Sequence, residues 1–192
     1  MADAVDYASL SSYGPEPWPD WVHGFRPHQV AAVEEIMDGY ARGKKVMVLD
    51  APVGSGKTLI AEMVRRRLAV EGLDGADGSM LYVAHSRGLQ AQFLADFPAA
   101  KVLMGKSNYQ TRDGPAWVNC GDCTATRGGT AVCKWCVDAG KCPYKVAKQQ
   151  AKAARIAVVN TAYMLAEAQT QGALCSRRSF VCLDECDTLE GI

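Results

Sequence analysis

The stretch that most constrains this chain is residues 50–58, DAPVGSGKT, set between an apolar run at 45–49, KVMVL, and a segment of helical character over 59–70. Small residues at Ala51, Gly54, Ser55 and Gly56 let consecutive backbone N–H groups curl around an anionic phosphate. The helix N-terminus behind them adds the positive end of its dipole. In that setting Lys57 reaches the terminal phosphates and Thr58 a magnesium ion. The usual phosphate-loop pattern begins with glycine, and here Ala51 holds that place. The surrounding strand, loop and helix order still predicts a site for ATP and Mg2+.

A second half of the same site is expected far along the chain. Residues 179–183, SFVCL, read as a buried strand ending in the acidic run DECD at 184–187. Asp184 can hold magnesium through an outer-shell water, and Glu185 can orient and deprotonate the water that attacks the terminal phosphate. Taken alone, such a pair is an ordinary solvated strand end. Combined with Lys57 it becomes a hydrolytic motif, with Lys57, Asp184 and Glu185 as the catalytic candidates converging on one triphosphate.

With 192 residues the chain can bury one substantial core and carry one small satellite module. Its formal net charge is zero and 48% of its residues are hydrophobic, which excludes both a disordered chain and a general basic coat for nucleic acid. No apolar run approaches the roughly 20 residues that cross a bilayer, and the N-terminus, MADAVDYASL, lacks the basic and apolar regions of a secretory signal. The expectation is a cytoplasmic protein with no membrane partner. In such a reducing compartment its eight cysteines point to metal rather than to disulfides.

Five of them, Cys120, Cys123, Cys133, Cys136 and Cys142, fall in a Gly- and Thr-rich insert with little apolar periodicity. Such a segment cannot order itself by hydrophobic burial, so thiolate–metal bonds are a natural source of its structure. The pairs Cys120/Cys123 and Cys133/Cys136 fit a four-thiolate Zn2+ site. A 4Fe-4S cluster also takes four thiolates and can use Cys142 in place of one member of the first pair. Spacing leaves both metals open. Cys175 and Cys182 read as core or surface thiols.

Along the chain, residues 1–24 form an irregular arm, and helical spacing begins at Pro27 with Val30, Val33, Ile36 and Met37, running to Gly43. This helix feeds the strand before the phosphate loop. A strand at 80–84 leads through His85-Ser86-Arg87-Gly88 into a helix ending near Leu94. After the insert come a helix at 145–154, a strand at 156–159, a short helix around Met164, and the strand before Asp184. Alternation of this kind predicts an α/β fold with a mainly parallel sheet and ligands at the carboxyl ends of its strands. Lys141, Lys145, Lys148, Lys152 and Arg155 form a stretch without acidic residues, and 145, 148, 152 and 155 share one helical face that can follow a phosphate backbone. Tyr109, Trp117 and Trp135 are candidates for stacking on unpaired bases.

Several of these segments together resemble the first motor domain of superfamily-2 DNA helicases, in the iron-sulfur branch that includes the XPD and DinG proteins. FRPHQ at 25–29 is similar to that family's adenine-reading element, and APVGSGKT to its motif I. VAHSRGLQAQFLADFP resembles motif Ia. GKSNY at 105–109, CPY at 142–144 and AVVNTA at 157–162 resemble the segments that flank the cluster, and DECD stands where the family has a DEAH-type box. The resemblance implies a RecA-like P-loop NTPase domain, here divided as 25–104 and 145–192 around the insert at 105–144. It places Gln29 against the adenine base and brings Ser86 and Arg87 to the DNA backbone.

The same resemblance tilts the metal toward a 4Fe-4S cluster on Cys120, Cys133, Cys136 and Cys142, with Cys123 as alternative to Cys120 and zinc as the alternative metal. Gln110 and Thr111 occupy the place where the family usually has its first cysteine. The implied activity is 5′ to 3′ translocation on single-stranded or forked DNA. The sequence ends just beyond motif II, so weak binding and slow hydrolysis are expected unless a separate chain supplies a second motor domain and its arginines. Half of a split helicase, or a catalytically silent, metal-stabilised DNA-binding module, is the competing expectation.

Overall fold

The computed structural model describes residues 7–111, 119–121, 142–169, 174 and 178–186. The chain divides into two units, Met1–Met80 and Leu81–Ile192.

The first unit is built on two helices, α1 (Pro27–Ala41) and α2 (Lys57–Glu71), packed on each other. Proline at the first helical position needs no N–H partner and presets φ, so α1 begins at Pro27 behind an extended Arg26. Gln29 closes this start, its Oε1 accepting the Arg26 N–H at 2.9 Å. Val33 and Met37 then line the buried face. Gly72, in the left-handed region at φ 59°, stops α2, its N–H bonding the Leu68 carbonyl.

Helix α2 is buried almost all round, although its sequence carries Glu62, Arg65 and Arg66. The N-terminal arm explains this. A short 3-10 helix (Tyr7–Tyr13) and the segment after it lie against α2. Arg65 pairs with Glu62 and with Glu16, each at 2.7 Å, and donates to the Gly78 carbonyl at 2.9 Å. Arg66 pairs with Glu62 at 2.7 Å, donates to the Glu16 and Pro17 carbonyls, and stacks 3.6 Å from the centre of the Trp18 ring. Trp18 in turn meets Tyr13 and Phe25 edge to face. Burial opposes the charge on Arg65, yet the hydrogen bonds and charges of Glu62 and Glu16 outweigh it and hold the guanidinium above its usual value. Removing one partner from such a buried cluster costs about 3–5 kcal/mol, because the opposite charge stays behind without its counterion. The arm, expected to lie irregularly over the domain, carries this short 3-10 helix and packs on α2.

The second unit carries a four-stranded parallel sheet in the order β2-β3-β1-β4, with β1 (Met80–Ala84), β2 (Lys101–Val102), β3 (Ile156–Asn160) and β4 (Phe180–Leu183). Lys101 stands opposite Ala157 and Val102 opposite Val158. The helices are α3 (Arg87–Asp96), α4 (Pro143–Ala153) and α5 (Thr161–Gln169). Strand β1 is buried on both faces, and β3 is buried except at its last residue, Asn160, as suits the two central strands. Leu81 and Val83 of β1, Ala157 and Val159 of β3, Leu103, Ala151 and Leu174 form one core, covered by Tyr109, Tyr144, Tyr163 and Met164. The α/β fold with a parallel sheet is as the sequence predicts and is consistent with a RecA-like domain.

Four details differ from expectation. Residues 46–50, expected as the strand before the loop, pair with no strand among those described and bury little, Val46 and Val48 being 81% and 80% exposed, so the run has neither ladder nor core contact to hold it as a strand. Strand β4 is not buried: it lies at the sheet edge, with Val181 and Leu183 exposed. Helix α4 ends at Ala153, so Arg155 falls beyond the helical face that carries Lys145, Lys148 and Lys152. Strand β2 is too short to show any alternation in the sequence. Among the described residues no helix is long and apolar enough to cross a membrane.

Candidate functional site

In the first unit the phosphate loop is held from behind by the start of α1. Gly54 and Gly56 both adopt positive φ, 81° and 84°, a backbone that glycine takes without strain, before α2 begins at Lys57. The Arg26 guanidinium donates to the Gly54 carbonyl at 3.3 Å. His28 Nε2, at 3.1 Å, and Gln29 Nε2, at 3.0 Å, both meet the Ser55 carbonyl. A carbonyl only accepts, so His28 faces it with Nε2 protonated. In a trans peptide N–H and C=O point in opposite directions. Turning the Ser55 carbonyl toward α1 therefore aims the Gly56 N–H away from it. That is the orientation an anion in the loop requires.

The remaining loop atoms are equally specific. Lys57 Nζ donates to the Ala51 carbonyl at 3.0 Å and to that of Pro52 at 3.4 Å, closing the ammonium over the loop. Thr58 follows in the first turn of α2. Ser55 Oγ is buried with no hydrogen-bond partner. Lys57 and Thr58 thus open α2 directly behind the loop, and Gln29 is bonded to the loop at Ser55. Both polar ends of the Gln29 amide are engaged with the protein, one on Arg26 and one on Ser55. The parts of Arg26 and His28 were missed in the sequence, where they stood as neighbours in a motif with no partner in view.

In the second unit Asp184 follows directly on β4. Its N–H bonds the Val83 carbonyl at 2.9 Å, and its Oδ2 accepts the Tyr82 hydroxyl at 2.5 Å. Glu185 is exposed and takes φ 52°, alone among the described non-glycine residues in having positive φ. A left-handed backbone at such a residue costs roughly 1–2 kcal/mol, so the chain turns sharply at a price just after the aspartate. Burial, then the Asp184 carboxylate and Cys186, push the Cys182 thiol up to about 12, which keeps it a neutral thiol. Asp187 lies outside the described residues.

The nucleic-acid candidates have structural partners. Ser86 caps α3, its Oγ accepting the Leu89 N–H at 3.3 Å, and Arg87 donates to the Asn108 side chain. Lys148 pairs with Glu167 at 3.1 Å, while Lys152 is exposed. Of the cysteines, Cys120 and Cys142 are buried, and Cys120 is tied by its N–H to the Tyr109 carbonyl at 2.7 Å. Tyr109 packs edge to face on Tyr144, which joins the two ends of the insert. Cys123, Cys133, Cys136, Cys175, Trp117, Trp135 and Lys141 lie outside the described residues. Among those described, no group of three or more His, Cys, Asp or Glu side chains could hold a metal ion.

A family described as type III restriction enzyme, res subunit, matches residues 23–189. No curated protein and no solved structure matches the chain.

Proposed function

The chain belongs to the type III restriction enzyme res-subunit family, a helicase-like ATP-binding domain of superfamily 2, and from that membership we propose that it couples Mg2+-ATP hydrolysis to movement on single-stranded or forked DNA. The observation that carries this reading is the loop at 51–58, whose Gly54 and Ser55 carbonyls are drawn back by Arg26, His28 and Gln29.

In this reading the Gly56 N–H and the Lys57 ammonium take the terminal phosphates, Lys57 exchanging two loop carbonyls for charged oxygens. The unpartnered Ser55 hydroxyl supplies a further donor. Gln29 reads adenine by releasing one end of its amide. Thr58 and Asp184 hold magnesium, which when bound neutralises charge on the transferring phosphoryl group. Glu185 orients the attacking water. Ser86, Arg87, Lys145, Lys148, Lys152 and Arg155 track the DNA backbone, Lys148 by exchanging Glu167 for phosphate. Cys120, Cys133, Cys136 and Cys142 bind a 4Fe-4S cluster, with Cys123 the alternative first ligand; the burial of Cys120 and Cys142 at the joined ends of the insert supports a ligand role.

The test is ATP binding and DNA-stimulated phosphate release. Lys57→Ala is expected to weaken ATP binding by more than about tenfold, the loss of one charge-assisted contact of roughly 1.5–3 kcal/mol, and to abolish stimulation by single-stranded DNA. Unchanged ATP affinity in Lys57→Ala refutes the reading. Iron and not zinc is expected after anaerobic purification; zinc alone refutes the cluster.

A further inference from the structure

We propose that Tyr82 is a positioning residue for Asp184: its hydroxyl, reaching across from β1, fixes one carboxylate oxygen so that the other is presented to the magnesium ion. This rests on the assignment of Asp184 to magnesium made above. The motif has two carboxylates in succession, and the chain leaves the sheet between them. Asp184 is tied to β1 through its N–H on the Val83 carbonyl, whereas Glu185 already sits in a left-handed turn. Strand pairing therefore fixes the Asp184 backbone but not its side chain. The Tyr82 hydroxyl, 2.5 Å from Oδ2, supplies the missing constraint.

Tyr82 is suited to this because it cannot move. The residue is 2% exposed, and its ring lies 4.0 Å, centre to centre, from that of Phe93 on α3. Phe93 is itself packed on Phe97 at 5.0 Å. A phenol held in this way is a fixed donor, and a fixed donor selects one rotamer of the carboxylate it meets. With Oδ2 occupied by a hydroxyl proton, Oδ1 keeps its lone pairs for a cation or for the cation's water. Partners of this kind orient a metal's carboxylate, and their loss typically lowers metal affinity about 10–100-fold.

The variant is Tyr82→Phe, which keeps the ring against Phe93 and removes only the hydroxyl. Mn2+, standing in for Mg2+, is titrated by electron paramagnetic resonance into the full chain with saturating ATP, beside Asp184→Asn and the double variant. Tyr82→Phe is expected to weaken Mn2+ binding about tenfold, leave metal-free ATP affinity unchanged, and add nothing on top of Asp184→Asn. Parental Mn2+ affinity in Tyr82→Phe, with Asp184→Asn weakened, overturns the role of Tyr82 alone. Parental affinity in Asp184→Asn overturns the magnesium assignment and this proposal with it. A fall in metal-free ATP affinity in Tyr82→Phe overturns the proposal too, marking the hydroxyl as a support of the fold.

Discussion

At Gly56 a single methyl group decides whether the loop can hold its shape. The residue has φ 84°, and a Cβ there would fall on the Gln29 amide nitrogen that holds the Ser55 carbonyl. Gly56→Ala therefore carries two costs: about 1 kcal/mol for the left-handed backbone, and the displacement of Gln29. Gly43 separates them, since it has φ 79° and nothing within 4 Å of its added Cβ. Both alanine variants are expected to lower the thermal unfolding midpoint by a few degrees, but only Gly56→Ala to lose ATP affinity in a nucleotide titration. Equal loss in both would dismiss the Gln29 contact. At this scale the sequence was partly legible. Glycine, lysine and threonine at fixed spacing describe a loop because their partners are local, whereas Tyr82 and Asp184, 102 positions apart, share no pattern that a reader of the chain could see.

Among the elements, α4 and α5 show how a charge is shared between function and fold. Glu167 on α5 is buried and accepts from Lys148 of α4 and from the Leu174 N–H. Burial raises its carboxyl, but the hydrogen bonds from Lys148 and Leu174 outweigh burial and hold it below the usual glutamate range. A depressed carboxyl adds stability that is complete above its unfolded pKa of about 4.3 and fades as pH falls through the lower folded value. Denaturant unfolding from pH 6 to pH 2 should show this acid-side loss in the parent and a shallower one in Glu167→Gln. Equal slopes would mean that the pair adds nothing to the fold. The helices and strands themselves were largely legible, because α1 carries apolar residues at turn spacing and β1 is a short unbroken apolar run. The N-terminal arm was not: its anchors, Arg65 and Arg66, lie about 50 positions downstream. Strand β2 was missed because two residues, Lys101 and Val102, offer no period.

For the whole molecule, the proposed function stands on Asp184 serving the magnesium ion of a bound nucleotide. The sequence suggested the pairing of loop and acidic strand end from motif order; the loop has its Ser55 carbonyl turned toward α1, and Asp184 is tied by its N–H to the neighbouring strand. The most direct measurement is a calorimetric titration of ATP into the parent and Asp184→Asn, each with and without Mg2+. Asp184→Asn is expected to match the parent without Mg2+ and to lose most of the increase in affinity that Mg2+ confers. An undiminished Mg2+ increment in Asp184→Asn would remove Asp184 from the magnesium site and the proposed function with it.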